Sequence, residues 1–303
     1  MKFMIQRGLF ALLIFTSIAQ AQLTQEEQDR EKKFQERSMA ATKDTVPQFG
    51  WNHTMLAGLN LTQVSFKDWA QGGENALSYA VYLNGNSTEN EEAINWSNTY
   101  KFSFGQTRLG SQGIRKTDDQ IYFESLLIYK MGVYVNPYVS ATLRTQFAVG
   151  YTYDDAGNAT RVSKFFDPGY LTQSAGVAYQ PAAWVKTRVG VSLRETFTSE
   201  FKNYAEDPNT HELKSTLVQG GVEWVTEIDW NLAENMSLSS RVDIFDPFRN
   251  LDRVFFRNDN LITAKVNKII AASVGVQILN DVNVSPRTQI KQVFALGFTF
   301  GIL

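Results

Sequence analysis

The sequence predicts an all-β fold, a transmembrane antiparallel up-and-down β-barrel of about 12 strands, and three observations support this prediction. Segments of about ten residues, apolar at every second position, recur from Trp51 to Phe300. The turns between these segments are alternately short and long, as in barrels of the outer membrane. The last segment shows one apolar face, made of Ile290, Phe294, Leu296, Phe298 and Phe300. Its other face carries Gln289, Lys291 and Thr299, so one face suits lipid and the other suits water.

Residues 1–21 have the features of a secretory signal peptide. Lys2 and Arg7 precede an apolar run that ends at Ile18, and Ala21 closes a small-residue cleavage site. An apolar run of about eleven residues is too short for a transmembrane helix, which needs roughly 20. We therefore predict an exported protein.

Residues 22–48 differ in composition from the rest of the chain. Between Gln25 and Arg37 this segment is dense in charge and nearly free of apolar side chains. Such a segment cannot bury a core, so we predict a charged periplasmic arm. A mobile terminus is the commoner fate of such a run, and a segment that binds a partner or faces peptidoglycan is the alternative. Residues 49–303 are then the barrel.

Composition excludes several classes of function. The chain has no cysteine, so disulfides, a lipoprotein anchor and thiolate metal sites are excluded. With 29 basic and 31 acidic residues the net charge is −2, which does not indicate nucleic acid as a partner. A secreted β-sandwich would share the aromatic content of 13%. Its strands run about five or six residues, whereas those predicted here run roughly nine or more.

Twelve strands can be placed on this pattern, an even number as single-chain bacterial barrels require. They lie near 51–64, 75–87, 94–106, 119–131, 136–151, 169–180, 184–197, 214–230, 236–246, 259–267, 270–280 and 288–300. The long connectors hold most of the Gly, Asp, Asn and Pro, which turn chemistry alone explains. Both termini are predicted to be periplasmic.

Tryptophan and tyrosine mostly fall near the predicted strand ends, where aromatic girdles of a membrane barrel lie. The candidates are Trp51, Trp96, Trp184, Trp224, Trp230, Tyr100, Tyr138 and Tyr179. A single tryptophan can equally be part of a core.

Strand parity assigns the charged side chains to the lumen, because Arg or Lys at the bilayer midplane costs about 2 to 4 kcal/mol. The residues placed there are Lys101, Glu124, Arg144, Lys186, Arg188, Arg194, Glu223, Glu227, Asp229, Arg241, Asp243, Lys265 and Lys291. Eight of these are basic and five acidic, which predicts a mild anion preference if the lumen conducts.

In the seventh and eighth strands, Lys186, Arg188 and Arg194 are expected to meet Glu223, Glu227 and Gln219. Such a network either fills a narrow barrel and holds its shape, or lines a pore for small solutes, because a barrel of this size has little room to spare.

An enzyme needs a base or a nucleophile, and the chain offers two histidines, His53 and His211, predicted at opposite rims. His211 with Asp207 and Glu206 matches outer-membrane hydrolases in residue type only. We expect no catalytic residue, no metal site and no cofactor.

Two motifs carry a family resemblance. The stretch from Gly58 to Asn75, GLNLTQVSFKDWAQGGEN, and the stretch from Phe104 to Asp119, FGQTRLGSQGIRKTDD, resemble the domain of unknown function 3078 family. The resemblance implies an outer-membrane barrel of Bacteroidetes-type Gram-negative bacteria with no assigned activity. Such barrels usually end on an aromatic residue, whereas here Phe300 is followed by three further residues.

The same two motifs suggest a constriction at the outer mouth. Its predicted members are Trp69, Gln71, Glu74, Asn75, Arg115, Lys116, Asp118 and Asp119. The predicted function is a narrow or plugged pore for small solutes in the cell outer membrane, and the alternative is a structural or docking barrel. The expected partners are outer-membrane lipid, a small solute, and the barrel-insertion machinery, which would read the C-terminal strand. The sequence carries no indication of an oligomeric state.

Overall fold

The structure is a computed structural model that describes residues 49–65, 74–132, 134–154, 156–251, 253–285 and 287–301. The predicted signal peptide, the predicted arm, Trp69 and Gln71 lie outside the described residues.

Fourteen strands form in the described part of the chain, and twelve of them close into one antiparallel barrel. The strands are β1 Gly50–Val64, β2 Ala76–Asn90, β3 Ile94–Leu109, β4 Ile114–Tyr129, β5 Asn136–Thr145, β6 Gly150–Tyr153, β7 Ala159–Ser163, β8 Gly169–Ala182, β9 Val185–Phe197, β10 Thr216–Ala233, β11 Met236–Pro247, β12 Phe255–Lys265, β13 Ile270–Asn280 and β14 Gln289–Gly301. Each barrel strand pairs with the next, and β1 pairs with β14. The predicted fold class is confirmed.

The barrel has two faces because side chains of a strand alternate between them. On β14, Phe294 is 77% exposed and points outward. Its neighbour Val293 faces Gly275 of β13 in the register, on the inner side. The outward set of β14 is apolar, as the alternation in the sequence predicts.

Two connector predictions are wrong. The connector from Thr107 to Asp118 is short, because β3 continues to Leu109 and β4 begins at Ile114, with a bulge opposite Gly105 and Gln106. The predicted strand 136–151 ends at Thr145, and its last residues pair instead with β7 in a separate hairpin, β6–β7. Bulges lengthen and twist strands locally, and strict alternation does not reveal them.

The connectors define two ends of the barrel. We call the end with the connectors 65–75, 146–168, 198–215, 248–254 and 281–288 the long-connector end, and the other, where the chain enters β1, the short-turn end. The connector 198–215 contains a short 3-10 helix, Lys202–Ala205.

Aromatic residues mark both rims. At the short-turn end Trp184 stacks on Trp230 at 5.5 Å between ring centroids, and Trp51 meets Trp96 edge to face at 5.6 Å. At the long-connector end Phe166 stacks on Phe197 at 6.4 Å. Trp224, a predicted girdle residue, lies in the middle of β10 instead, where its indole N–H donates to the hydroxyl of Thr187.

The barrel is closed by a short seam between β1 and β14, where Leu56–Asn60 pair with Gly301–Gly297. Tyr82 of β2 reaches across β1, and its hydroxyl lies 3.1 Å from the hydroxyl of Thr299 on β14. This is possible because Gly58 of β1 has no side chain, and a Cβ at that position would collide with the Tyr82 ring. A three-strand brace therefore holds the seam.

No helix in the described part of the chain is both long and apolar enough to cross a membrane.

Candidate functional site

The interior of the barrel holds a network of buried charges centred on Glu124 of β4. Glu124 accepts hydrogen bonds from Arg188 of β9 at 2.5 Å and from Arg241 of β11 at 2.8 Å. Neither β9 nor β11 is a neighbour of β4 in the sheet, so both contacts cross the interior. Glu124 is 3%, Arg188 5% and Arg241 8% exposed, so these ion pairs are shielded from water.

Arg241 connects three carboxylates. Its Nε donates to Asp243 at 2.8 Å, and its Nη1 donates to Glu227 at 2.5 Å as well as to Glu124. The guanidinium also lies 5.5 Å from the centre of the Tyr122 ring. Arginine suits this position, because its planar fork can satisfy several carboxylate oxygens at once.

A second cluster lies nearer the long-connector end. Arg194 of β9 donates to Asp281 at 3.1 Å and lies 4.2 Å from the centre of the Phe255 ring. Arg144 of β5 reaches Asp243 only at 3.4 Å, and Arg257 of β12 donates to Asp259 at 2.8 Å. These arginines come from three different strands, β5, β9 and β12.

Sequence reasoning missed part of these clusters. Arg257 was outside the predicted strand, which starts at 259, although it continues the alternation of Asp259 backward by two residues. Asp281 lies at the start of a connector, where the alternation of a strand does not predict which way a side chain points. The aromatic rings of Tyr122 and Tyr170 contact the arginines, but no charge distinguishes these tyrosines in the sequence.

Two of the pairs expected between the seventh and eighth strands lie opposite each other in the register, Lys186 with Glu227 and Arg194 with Gln219, but the ion pairs of Arg194 and Glu227 are made with other residues. The register places Glu223 opposite Gly190, and Arg188 opposite Val225. Lys186 does face Glu227 in this register, but the ion pair of Glu227 is with Arg241. Glu227 therefore pairs with its neighbour on the other side, Arg241 of β11, whereas Arg188 reaches Glu124 across the interior, and the alternation in the sequence does not distinguish between these partners.

The remaining charged residues predicted for the lumen are less buried. Lys291 donates across the interior to Asp118 of β4 at 2.8 Å. Asp229 accepts a hydrogen bond from Ser239 at 2.9 Å. Three lysines form no ion pair with any described residue, namely Lys101, Lys186 and Lys265.

The interior therefore has two unlike walls. The packed wall, formed by β4, β5 and β8–β11, carries most of the buried inward residues. The open wall, formed by β12–β14 and β1–β3, carries a few inward charges, but many of its inward residues are small and uncharged, such as Ser273 and Ala295. On the open wall even the apolar inward residues Leu261 and Val293 are each 43% exposed.

The predicted constriction residues do not form a free loop. Arg115, Lys116, Asp118 and Asp119 lie on β4, because this strand begins at Ile114. Asp119 accepts hydrogen bonds from the backbone N–H groups of Phe147 and Ala148 at 2.7 and 2.8 Å.

Lys116 donates to Asp119 at 2.7 Å, and Arg115 lies 4.1 Å from the centre of the Tyr153 ring. Asn75 accepts a backbone hydrogen bond from Gly110, and the carboxylate of Glu74 is close to that glycine. The described members therefore anchor the 146–168 connector and the start of β2.

The long connectors contain their own ion pairs. The pKa of Asp207 is lowered to about 2, because its carboxylate accepts hydrogen bonds from the ammonium of Lys214 and from the backbone N–H of Asn209. Burial works to raise the pKa of Asp167, but hydrogen bonds from the backbone of Glu200 and the hydroxyl of Ser199 outweigh it and lower that pKa.

The two histidines lie far from each other. His53 bonds Ser87 at 2.8 Å on the outer face of β1 toward the short-turn end, whereas His211 bonds Glu206 at 2.7 Å in a long connector. Within the described ranges, no group of three or more His, Asp or Glu side chains could hold a metal ion.

A cavity of about 110 Å³ lies between the two charged clusters and the connector 281–288. Its polar lining includes Arg144, Arg194, Arg241 and Arg257.

Residues 61–151 match the family described as "Protein of unknown function (DUF3078)", which confirms the resemblance over this part of the chain. No match to the sequence is found among the curated proteins.

Solved barrels are similar at low identity. The translocator domain of the autotransporter NalP from Neisseria meningitidis is 9% identical over 92% of this chain and 99% of that one, with a TM-score of 0.36. An outer membrane channel from Pseudomonas putida F1 is 9% identical over 84% of this chain and 95% of that one, with a TM-score of 0.39. At these TM-scores the similarity carries no functional argument.

Proposed function

We propose that the protein is a barrel of the outer membrane that forms a narrow aqueous path for small solutes. The observation that supports this function is the open wall, where the inward side chains of Leu261 and Val293 keep 43% exposure each. A barrel filled by its own side chains would bury them as the packed wall buries Glu124, because protein interiors are close-packed. The path would run along β12–β14 and β1–β3.

The outward face supports a location in lipid. Outward residues of neighbouring strands are apolar and exposed, such as Val191 of β9 beside Val222 of β10, and the outward face of β14 carries Phe294 and Leu296. A contiguous apolar surface of this kind is rare on a soluble monomer. In a closed barrel the backbone groups pair between strands, so strands can cross a bilayer without unpaired polar groups. The tryptophan and phenylalanine rims suit the two lipid interfaces.

The lysines without ion pairs support a mild preference for anions. Lys101 and Lys265 face the open path, whereas the arginines of the packed wall are largely engaged by carboxylates. The structure adds Asp259 and Asp281 to the acidic set but only Arg257 to the basic set, so the preference should be weaker than the eight-to-five count predicts. It should also fall with salt, since the lysines are exposed to screening.

Recording single-channel currents from the purified protein in planar bilayers tests this function. We expect small, stable conductance steps and a reversal potential on the anion side in a salt gradient. A protein that inserts but never conducts would contradict the pore.

The density of the charged network favours a second candidate, a structural barrel whose loops bind partners. Glu124 of β4 is hydrogen-bonded to Arg188 of β9 and to Arg241 of β11, so these side chains cross the packed half of the interior. Insertion without conductance would support this candidate, because the network would then serve the shape of the barrel alone. The described residues give no support for hydrolase chemistry, since His211 is exposed and hydrogen-bonded to Glu206.

A further inference from the structure

The cavity beside the packed wall is lined by more guanidinium groups than carboxylates. Four arginines line it, Arg144, Arg194, Arg241 and Arg257, against the three carboxylates of Glu223, Asp243 and Asp281. Arg241 also bonds Glu124 and Glu227, and Arg257 also bonds Asp259. None of these carboxylates lines the cavity, so the excess of positive charge that remains at the cavity is at Arg144.

The existing contacts leave Arg144 least satisfied. Asp243 is shared, because its Oδ1 accepts from Arg241 at 2.8 Å while its Oδ2 is 3.4 Å from Nη2 of Arg144. Nε of Arg144 is buried and has no hydrogen-bond partner among the described residues. A buried donor left without a partner costs about 1 to 3 kcal/mol, and more when it is charged.

The carboxylates of the lining do not remove this excess. Asp281 is engaged by Arg194 at 3.1 Å, and Asp243 by Arg241. Glu223 also lines the cavity, and it makes no ion pair within the described part of the chain. A ligand carboxylate would give Arg144 the full partner that Asp243 supplies only in part.

The rest of the lining is apolar. Phe255, Leu279 and Val284 form the side of the cavity toward β12, β13 and the connector 281–288. These side chains would add no binding energy for an inorganic anion. The hydrocarbon part of an organic anion would be removed from water against them, which favours binding. Arginine forks match carboxylates in a bidentate geometry.

We propose that this cavity is a binding site for a small organic carboxylate, with the carboxylate at Arg144 and Arg257 and the hydrocarbon body against Phe255 and Leu279. The site goes beyond the proposed pore and does not depend on conductance, because a barrel that conducts nothing could still bind the ligand. Val284 and Asp281 place its entrance at the long-connector end.

Calorimetric titration of the purified protein in an uncharged detergent, with benzoate as the probe, tests the site. We expect saturable binding of benzoate and none of benzamide, which has a similar shape without the charge. Arg144→Gln should weaken benzoate binding about tenfold or more, the loss expected for one charged hydrogen bond. The matched control is Arg108→Gln, at an exposed position at the end of β3, and it should bind as the parent does.

A second variant, Arg144→Lys, tests the site if Arg144→Gln does not fold. Arg144→Lys keeps the charge but loses the planar fork, so its affinity should fall between those of the parent and Arg144→Gln. The site is overturned if the parent shows no saturable binding, if benzamide binds as tightly as benzoate, or if Arg144→Gln retains full affinity. Tighter binding of inorganic phosphate than of benzoate would overturn the ligand class.

Discussion

The packed wall and the open wall of the barrel share one backbone pattern but differ in what their inward side chains do. On the packed wall Glu124, Arg188 and Arg241 contact one another across the interior and are buried. On the open wall Leu261 and Val293 are apolar, inward and 43% exposed. Long charged side chains can span a narrow barrel, whereas short ones leave space. The same fold can therefore combine a braced half with an open half.

The largest expected effect is on the packed wall. Glu124→Gln removes the negative charge that Arg188 and Arg241 share, and breaking a buried ion pair costs about 3 to 5 kcal/mol. We expect the free energy of unfolding, measured in urea with the protein in lipid vesicles, to fall by that amount. Ser273→Ala on the open wall is the control and should stay within about 0.5 kcal/mol. Equal losses in the two variants would remove the distinction between the walls.

The next effect concerns access to water. The chain has no cysteine, so a single introduced thiol is unique. Ser273→Cys on the open wall should react rapidly with a charged thiol reagent, while Ser192→Cys, which is inward but 7% exposed on the packed wall, should react slowly. Mass spectrometry of the intact protein gives both rates. A faster reaction at position 192 would contradict the assignment of the walls.

The residues in these two tests also differ in how far the sequence predicts their environment. Alternation of period two is enough to choose a face for Glu124, Arg188 and Arg241, because one face must suit lipid and the other water. It does not give their contacts, since Arg188 meets Glu124 only when the sheet curves into a barrel and brings β9 within reach of β4. The exposure of Val293 likewise depends on how far the opposite wall reaches.

The misses have similar causes. The short connector 110–113 and the early start of β4 follow from a bulge, which adds a residue without changing the composition of the strand. Asp281 became part of the interior through the path of a connector. Local pattern decides strand and face, whereas closure and connector geometry decide contacts.

A smaller effect is expected at the seam of the open wall. The hydroxyl of Tyr82 bonds that of Thr299 across Gly58, and one neutral hydrogen bond contributes about 0.5 to 1.5 kcal/mol. Tyr82→Phe and Thr299→Val should each lower the free energy of unfolding by about this much, and the double variant should lose little more. Fully additive losses would show that the two hydroxyls do not act as a pair.

The smallest effect lies outside both walls, in the connector 198–215. The pKa of Asp207 is held at about 2 by Lys214, below its usual 3.8, so the ion pair contributes fully above pH 3.8 and is lost as pH falls through about 2. Lys214→Gln should return the carboxylate titration, followed by NMR, toward the usual value. The stability of the barrel at neutral pH should change little, because this pair is only part-buried and lies outside the barrel strands. A large loss of stability would mean that the connectors brace the barrel as the packed wall does.

The most direct test of the open path uses two adjacent residues of β14. Val293→Cys places a thiol on the inner face, and Phe294→Cys places one on the outer face of the same strand. Single-channel current is recorded in a planar bilayer before and after a water-soluble, bulky thiol reagent is added. We predict that the reagent reduces the current of Val293→Cys and leaves that of Phe294→Cys unchanged. An unchanged current in Val293→Cys after complete modification would contradict a path along the open wall.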